Sequence, residues 1–243
     1  MRIKAVLFDL DDTLWPIMPV IRRAEDMLFT WLQAHAPGVA SRFTVEGLRE
    51  RRRRLLEQNP HYRLDLAKLR HAGLTEAFLA AGEDCTKVDL AMAVFSKARN
   101  EVIPFDDVMP VLEKLRRRFS LGSVSNGVAD LEVIGLSKYF KASLAAHSFG
   151  AAKPDAAIFQ AACDALGVAP AEAVYVGDDP FLDVEGAQRA GLHAVWMNRA
   201  GLESAFNLPE HIRPDAIFAT MHELHQWLDT IDTIGMQHGS SLE

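Results

Sequence analysis

The segment Ile3-Lys4-Ala5-Val6-Leu7-Phe8-Asp9-Leu10-Asp11-Asp12-Thr13-Leu14 opens as an apolar run and closes on three acids within four positions. A short continuous apolar run that ends in acid reads as a buried strand of a parallel sheet, with its polar residues at the carboxyl end. Similar runs follow at Leu121–Asn126, Ala173–Gly177, His193–Asn198 and Ala216–Ala219, and a weaker one at Ala142–His147. Helical patterns lie between them. Asp107 is placed to cap a helix carrying Val111, Leu112 and Leu115 on one face. Asp155 is placed to cap one carrying Ile158, Phe159, Ala162 and Leu166, with Gly167 as its stop. Leu182 to Ala190 reads as a short helix ended by Gly191, and Thr220 with Glu223 as a capping box before Leu224, Trp227 and Leu228. The alternation predicts an α/β fold: a doubly wound, mostly parallel Rossmann-like sheet.

Residues 16 to 103 break that rhythm. Pro16 suits the start of a helix, and Ile17, Ile21, Ala24, Leu28, Trp31 and Leu32 recur at helical spacing. Leu48 and Leu55, then Leu69, Leu74 and Phe78, then Val88, Met92 and Phe95 mark three more helices. Four amphipathic helices without a strand can bury their apolar stripes against one another. The expected organisation is a core domain of residues 1–15 plus 104–234, an inserted helical bundle of 16–103, and a frayed Gly/Ser-containing tail of 235–243.

Composition narrows the function classes. Lys and Arg number 26 against 33 Asp and Glu, a net charge of −7. That balance disfavours nucleic acid and anionic membrane as partners. Cys85 and Cys163 are too few for a disulfide framework or a four-cysteine zinc site. No apolar run reaches spanning length, and Asp9 interrupts the amino terminus too early for a secretory signal. A cytoplasmic protein is expected.

In an open α/β sheet, ligands bind outside the carboxyl ends of the strands, so the residues there carry the functional reading. Asp9, Asp11 and Asp12 repel one another unless a positive charge joins them. A hard divalent cation with oxygen ligands is one solution, and a solvated acidic turn is the plain alternative. Two carboxylates two residues apart can also divide labour as nucleophile and proton carrier. Ser125-Asn126-Gly127 ends the second strand with a hydroxyl, an amide and a Gly-freed backbone N–H, which together can cradle an anion. Lys153-Pro154-Asp155 puts a fixed cation beside a helix start. Gly177-Asp178-Asp179, with Asp183 beyond, returns carboxylates to the same edge, as metal ligands with supporting groups or as a helix cap. Each motif alone reads more readily as a turn or a helix start; their order along successive strands is what carries information.

That order resembles the phosphohydrolases of the haloacid dehalogenase superfamily. Asp9-x-Asp11-x-Thr13, Ser125, Lys153-Pro154 and Gly177-Asp178-Asp179 with Asp183 look like its four motifs. The helical insertion looks like its α-helical cap of the first type. The resemblance spans about residues 3 to 230. It implies a Mg²⁺-dependent phosphomonoester hydrolase working through an aspartyl-phosphate. Asp9 would be the nucleophile and Asp11 the general acid and base, with Thr13 steadying the loop. Ser125, Asn126, Gly127 and Lys153 would hold the phosphate. Mg²⁺ would sit on an Asp9 oxygen, the Asp11 main-chain carbonyl and Asp178, with Asp183 orienting that shell. Family members acting on carbon–halogen or carbon–phosphorus bonds lack an acid at the position of Asp11, which points this chain toward phosphate esters. The implied substrate is a small phosphorylated metabolite: a sugar phosphate, phosphoglycolate or a nucleoside monophosphate. A phosphosugar mutase of the β-phosphoglucomutase kind and a non-catalytic phospho-acceptor module are the alternatives.

The run Arg51-Arg52-Arg53-Arg54 reads as a solvated helix face in a chain of net negative charge. Trp15 and Met18 are candidates for a substrate entrance or for core packing. Arg22, His61, Arg63 and Arg70 are candidates for contacting a leaving group.

Overall fold

The computed structural model describes residues 2–199 and 208–239. In chain order they form β1 (Ala5–Phe8), α1 (Ile17–His35), α2 (Pro37–Arg42), α3 (Val45–Gln58), α4 (Leu66–Ala81), α5 (Val88–Arg99), α6 (Val108–Leu115), β2 (Ser120–Ser125), α7 (Leu131–Ile134), β3 (Ala142–Ala145), α8 (Ala146–Phe149), α9 (Ala156–Leu166), β4 (Ala173–Gly177), α10 (Gly186–Arg189), β5 (His193–Met197), β6 (Ala216–Phe218) and α11 (Met221–Gly239). The chain divides into two compact units: Met1–Trp15, Pro104–Ser125 and Gly135–Glu243 form one, and Pro16–Ile103 with Asn126–Ile134 the other. Residues 235–239 of the segment expected to fray are helical, and 240–243 lie outside the described residues.

The first unit is built on a six-stranded parallel sheet of order β3-β2-β1-β4-β5-β6. β1 lies between β2 and β4, where the strand order reverses, which is where doubly wound sheets place their ligands. Every residue of β1 and β4 is buried, as both faces of a parallel sheet require. α9 buries Ile158, Phe159, Ala162 and Cys163, and the Phe159 ring meets Tyr175 of β4 edge-on at 4.8 Å. Burying Ile158 and Phe159 stabilises the unit by about 1.5–3 kcal/mol each. Phe159→Ala would cost about 3–5 kcal/mol, because a void would open against the sheet. Asp155 caps α9 by accepting from the Ala157 N–H, and Gly167, at φ +67°, lets the chain turn off its far end.

Two local expectations are corrected. Asp107 does not cap α6: its carboxylate takes the Arg199 guanidinium at 3.1 Å on each oxygen and the Met221 N–H at 2.8 Å. A bidentate arginine outcompetes a helix N–H for a carboxylate. The helix expected over Leu182–Ala190 opens as a π-helical turn, Pro180–Glu185, before α10. Asp179 caps that turn, accepting from Phe181 and Leu182 N–H.

The second unit packs Ala24, Leu28 and Leu32 of α1 with Leu48 of α3, Leu74 and Phe78 of α4, and Val88, Ala91 and Phe95 of α5. Thr44 and Asp65 cap α3 and α4 through the Gly47 and Lys68 N–H groups. A buried acid, Glu25, sits within this unit. It accepts from Arg49 Nε at 2.7 Å and Arg52 Nη2 at 2.5 Å, and Arg70 lies 3.7 Å away, stacked over the Phe95 ring. The arginine run is therefore not a solvated face throughout. Arg52 turns in to Glu25, and Arg51 pairs with Glu76 over the Phe43 ring, while Arg53 bonds to exposed Glu50. A guanidinium on a long apolar stem can cover hydrophobic surface and still reach a buried carboxylate. None of the described helices is long and apolar enough to cross a membrane.

Candidate active site

β1 delivers Asp9 to the carboxyl end of the sheet, its N–H bonded to Val176 O at 2.8 Å. β4 delivers Asp178 directly after Gly177, and the turn after Asp179 carries Asp183 back toward the strand. A Cβ on Gly177 would lie 2.3 Å from the Asp183 carboxyl carbon, so only glycine allows this approach. Asp9, Asp178 and Asp183 each present one carboxylate oxygen within 4.8 Å of the other two.

Lys153 enters this acidic group. Its side chain is 4% exposed, and Nζ donates to Asp9 Oδ1 at 2.5 Å, Asp183 Oδ1 at 2.6 Å and Tyr175 Oη at 3.1 Å. Those are the three protons an ammonium can offer. The Tyr175 hydroxyl donates to Val124 O at 2.9 Å, and Asp183 Oδ2 accepts from the Asp179 N–H at 3.0 Å. Both Asp183 oxygens thus meet protein donors.

Three carboxylates against one lysine leave an excess of negative charge. Burial pushes the Asp9 carboxyl well above its usual range; Lys153 opposes this, while Asp183 and Asp178 add to it. Asp178 is pushed up to about 7, first by burial and then by Asp183 and Asp12. Burial pulls the Lys153 ammonium down, but Asp183 and Asp9 more than offset it, and the net shift is upward. A dehydrated oxygen-donor group of this charge fits a hard divalent cation, which would relieve the repulsion that the carboxylates otherwise meet by holding protons.

The other sequence-derived candidates are placed as follows. Thr13 is buried, and its hydroxyl donates to Asp178 Oδ1 at 3.3 Å. Asp11 Oδ1 accepts from Trp15 Nε1 at 2.8 Å. Asp12 adopts φ +59° and donates its N–H to Trp15 O at 2.8 Å, so the acidic loop folds back on itself. Ser125 ends β2, two residues beyond the rung where Phe8 pairs with Ser123. Asn126 and Gly127 follow at once but group with the helical unit. Of the remaining candidates, Trp15 is fully buried, which excludes it from an exposed entrance, and Arg70 belongs to the Glu25 cluster. Arg22, His61 and Arg63 are exposed.

Sequence reasoning missed three groups that hold this site and the partner of a fourth. Tyr175 reads as one more apolar strand residue. Trp196 donates from Nε1 to Asp178 O at 2.7 Å, and Arg199 donates from Nε to Thr13 O at 2.7 Å while stacking over Phe105. Trp15, taken for entrance or core, is tied to Asp11. The available signal was positional: Trp196 and Arg199 fall at the carboxyl end of the fifth strand, level with the acids.

A buried, lysine-bridged carboxylate at the switch point of a parallel sheet defines the class as an α/β protein with an acidic site at its strand ends. Comparison with known proteins gives the family. The model of haloacid dehalogenase-like hydrolases matches residues 3–191, well over half the chain, and the protein belongs to that family. It is 34% identical over 200 residues to the 5-amino-6-(5-phospho-D-ribitylamino)uracil phosphatase YigB of Escherichia coli K12, covering 81% of this chain and 84% of that one. It is 32% identical over 206 residues to the glyceraldehyde 3-phosphate phosphatase of Methanopyrus kandleri, with the same coverages. Among solved structures, a protein described as a 2-haloacid dehalogenase from Pseudomonas syringae pv. Tomato DC3000 superposes with a TM-score of 0.87 at 38% identity, over 95% of this chain and all of that one. The protein is thus an enzyme of the haloacid dehalogenase-like hydrolases, with curated relatives named as phosphatases.

Proposed function

We propose that the protein is a Mg²⁺-dependent phosphatase that hydrolyses a small phosphorylated metabolite through an aspartyl-phosphate on Asp9. The observation that carries this reading is the Lys153 ammonium bonded to both Asp9 and Asp183, with Asp178 close enough to share a cation. Asp9 attacks phosphorus, and the bond to the ester oxygen breaks. Asp11 gives its proton to the departing alkoxide. Water then attacks the phosphorus of the aspartyl-phosphate, Asp11 takes back a proton, and orthophosphate leaves with Asp9 restored. Ser125, Asn126, Gly127 and Lys153 hold the phosphoryl oxygens, and Thr13 steadies the loop and Asp178. Mg²⁺, held by Asp9, the Asp11 carbonyl and Asp178, would neutralise phosphoryl charge, with Asp183 orienting that shell. Positioning and charge neutralisation supply most of the catalysis in phosphoryl transfer.

The helical unit, in this reading, is the α-helical cap domain of the first type. The phosphate esters named for the two phosphatase relatives are borne on sugar-like alkyl carbons, and an alkoxide of that kind leaves poorly without a proton. The favoured substrates are therefore sugar phosphates, with phosphoglycolate and nucleoside monophosphates next. Two unpaired cysteines agree with a reducing, cytoplasmic setting.

The neighbour described as a dehalogenase favours a second reading, displacement of halide from a 2-haloacid. Asp11 weighs against it, because halide needs no proton to leave. Phosphate release from a panel of phosphorylated metabolites with Mg²⁺, beside chloride release from 2-chloropropionate without it, separates the two. The phosphatase reading expects orthophosphate, abolished by chelator. Chloride release with no orthophosphate would reverse the assignment.

A further inference from the structure

Outside the acidic site, the first unit carries a pocket of about 330 Å³ between the end of α6 and the start of β2. Four cations, Arg116, Arg117, Lys138 and Lys141, line it against one acid, Glu113. Its lining also includes the buried Phe119 and Tyr139. Glu113 is shared, lying 3.0 Å from Arg116 and 3.5 Å from Arg117. Lys141 donates to the neutral Ser120 hydroxyl at 3.0 Å, and Lys138 sits 5.3 Å over the Tyr139 ring. Among the described residues neither lysine has an acidic partner. This surplus of cations falls on a protein whose net charge is −7. Like charges gather in a concave site at a cost in repulsion, and an anion bound between them removes it.

The pocket is not part of the acidic site. It borders the first residues of β2, whereas Ser125 ends that strand, about 15–20 Å away along the chain. We propose that this pocket is a second binding site, for a compact polyanion bearing several phosphate groups. The chemistry is that of phosphate recognition: two guanidinium forks and two ammonium-bearing side chains line one concavity. Its volume stands at the lower end of small-molecule sites, which fits an oligophosphate.

Tripolyphosphate is the probe, titrated calorimetrically into the full chain without added metal. The test compares the wild type, the double variant Lys138→Gln/Lys141→Gln, and Lys114→Gln. Lys114 lies on the same helix but does not line the pocket. The double variant should bind about 100-fold more weakly, at roughly tenfold for each charged contact. Lys114→Gln should bind within about twofold of wild type. Both lysines are exposed, and unchanged circular dichroism and unchanged phosphate release would show that the fold survives. Unaltered affinity in the double variant would place the anion elsewhere, at the acidic site included, and overturn the proposal. An equal loss in Lys114→Gln would overturn it too, because diffuse surface charge would then account for binding.

Discussion

The two units each bury a cluster of charges, and the clusters are opposite in sign. In the sheet unit one lysine faces three carboxylates; in the helical unit one carboxylate, Glu25, faces Arg49, Arg52 and Arg70. The acidic cluster can relieve its excess by taking up protons, and Asp9 and Asp178 are raised accordingly. The basic cluster cannot do so near neutrality. Burial and then Arg52 push Arg70 down, yet only to about 9, so it stays charged. The helical cluster instead spreads its charge: the Arg70 guanidinium lies on an aromatic face, and Arg49 reaches toward solvent. An excess that titrates near the working pH is one a metal ion can exploit. An excess locked on arginines serves structure.

The largest effect expected is from Asp9→Asn, which removes the proposed nucleophile and should lower phosphate release by about 10⁴-fold or more while the fold persists. Near-normal turnover would deny the acidic cluster its special status. Lys153→Met should cost close to about 5 kcal/mol in denaturant unfolding, since it strands two buried carboxylates. Added Mg²⁺ should restore part of that loss. Glu25→Gln should cost about 3 kcal/mol, through uncompensated buried guanidinium groups, and Mg²⁺ should restore none of it. If Mg²⁺ rescued both variants equally, the distinction between the clusters would fail.

Acidity separates the clusters by a further, smaller effect. Asp178 has a folded-state value raised to about 7, so the stability it contributes is fully present below about pH 4 and lost as pH rises through about 7; Asp9, also raised, acts in the same direction. The metal-free protein should therefore unfold at lower urea concentration at about pH 8 than at about pH 5, and saturating Mg²⁺ should flatten that slope. A flat profile without metal would mean that the carboxylates are not in conflict. The smallest effect is expected from Trp15→Phe, which keeps an aromatic side chain of smaller volume and deletes the N–H to Asp11. It should reduce kcat on alkyl phosphates by about tenfold and on aryl phosphates less, because phenolates leave without a proton. Equal losses would assign Trp15 to packing alone.

The doubly wound parallel class and the strand ends were legible because periodicity and turn residues are local signals; the strand order rests on pairings between distant segments and was not. The run from Ile3 to Asp9 and the acids after Val176 carried most of the reading. Long-range side-chain choices were not legible. Asp107 has the position of a helix cap, but Arg199, far along the chain, claims its carboxylate. Arg52 has the look of a solvated residue, but a buried glutamate more than twenty residues earlier draws it inward. Tyr175 sits among apolar strand neighbours, and only the fold brings its hydroxyl to Lys153. Local pattern fixes where a residue lies on an element; partners distant in sequence decide what its polar atoms do.

The central claim is that Asp9 carries the phosphoryl group during turnover. Acid-quenching the enzyme as it hydrolyses a phosphate ester with Mg²⁺, followed by mass spectrometry of its peptides, tests it directly. The account predicts a phosphoryl adduct on Asp9 that is absent from Asp9→Asn. Sustained release of orthophosphate with no adduct at Asp9, on a timescale that captures single turnovers, would contradict it.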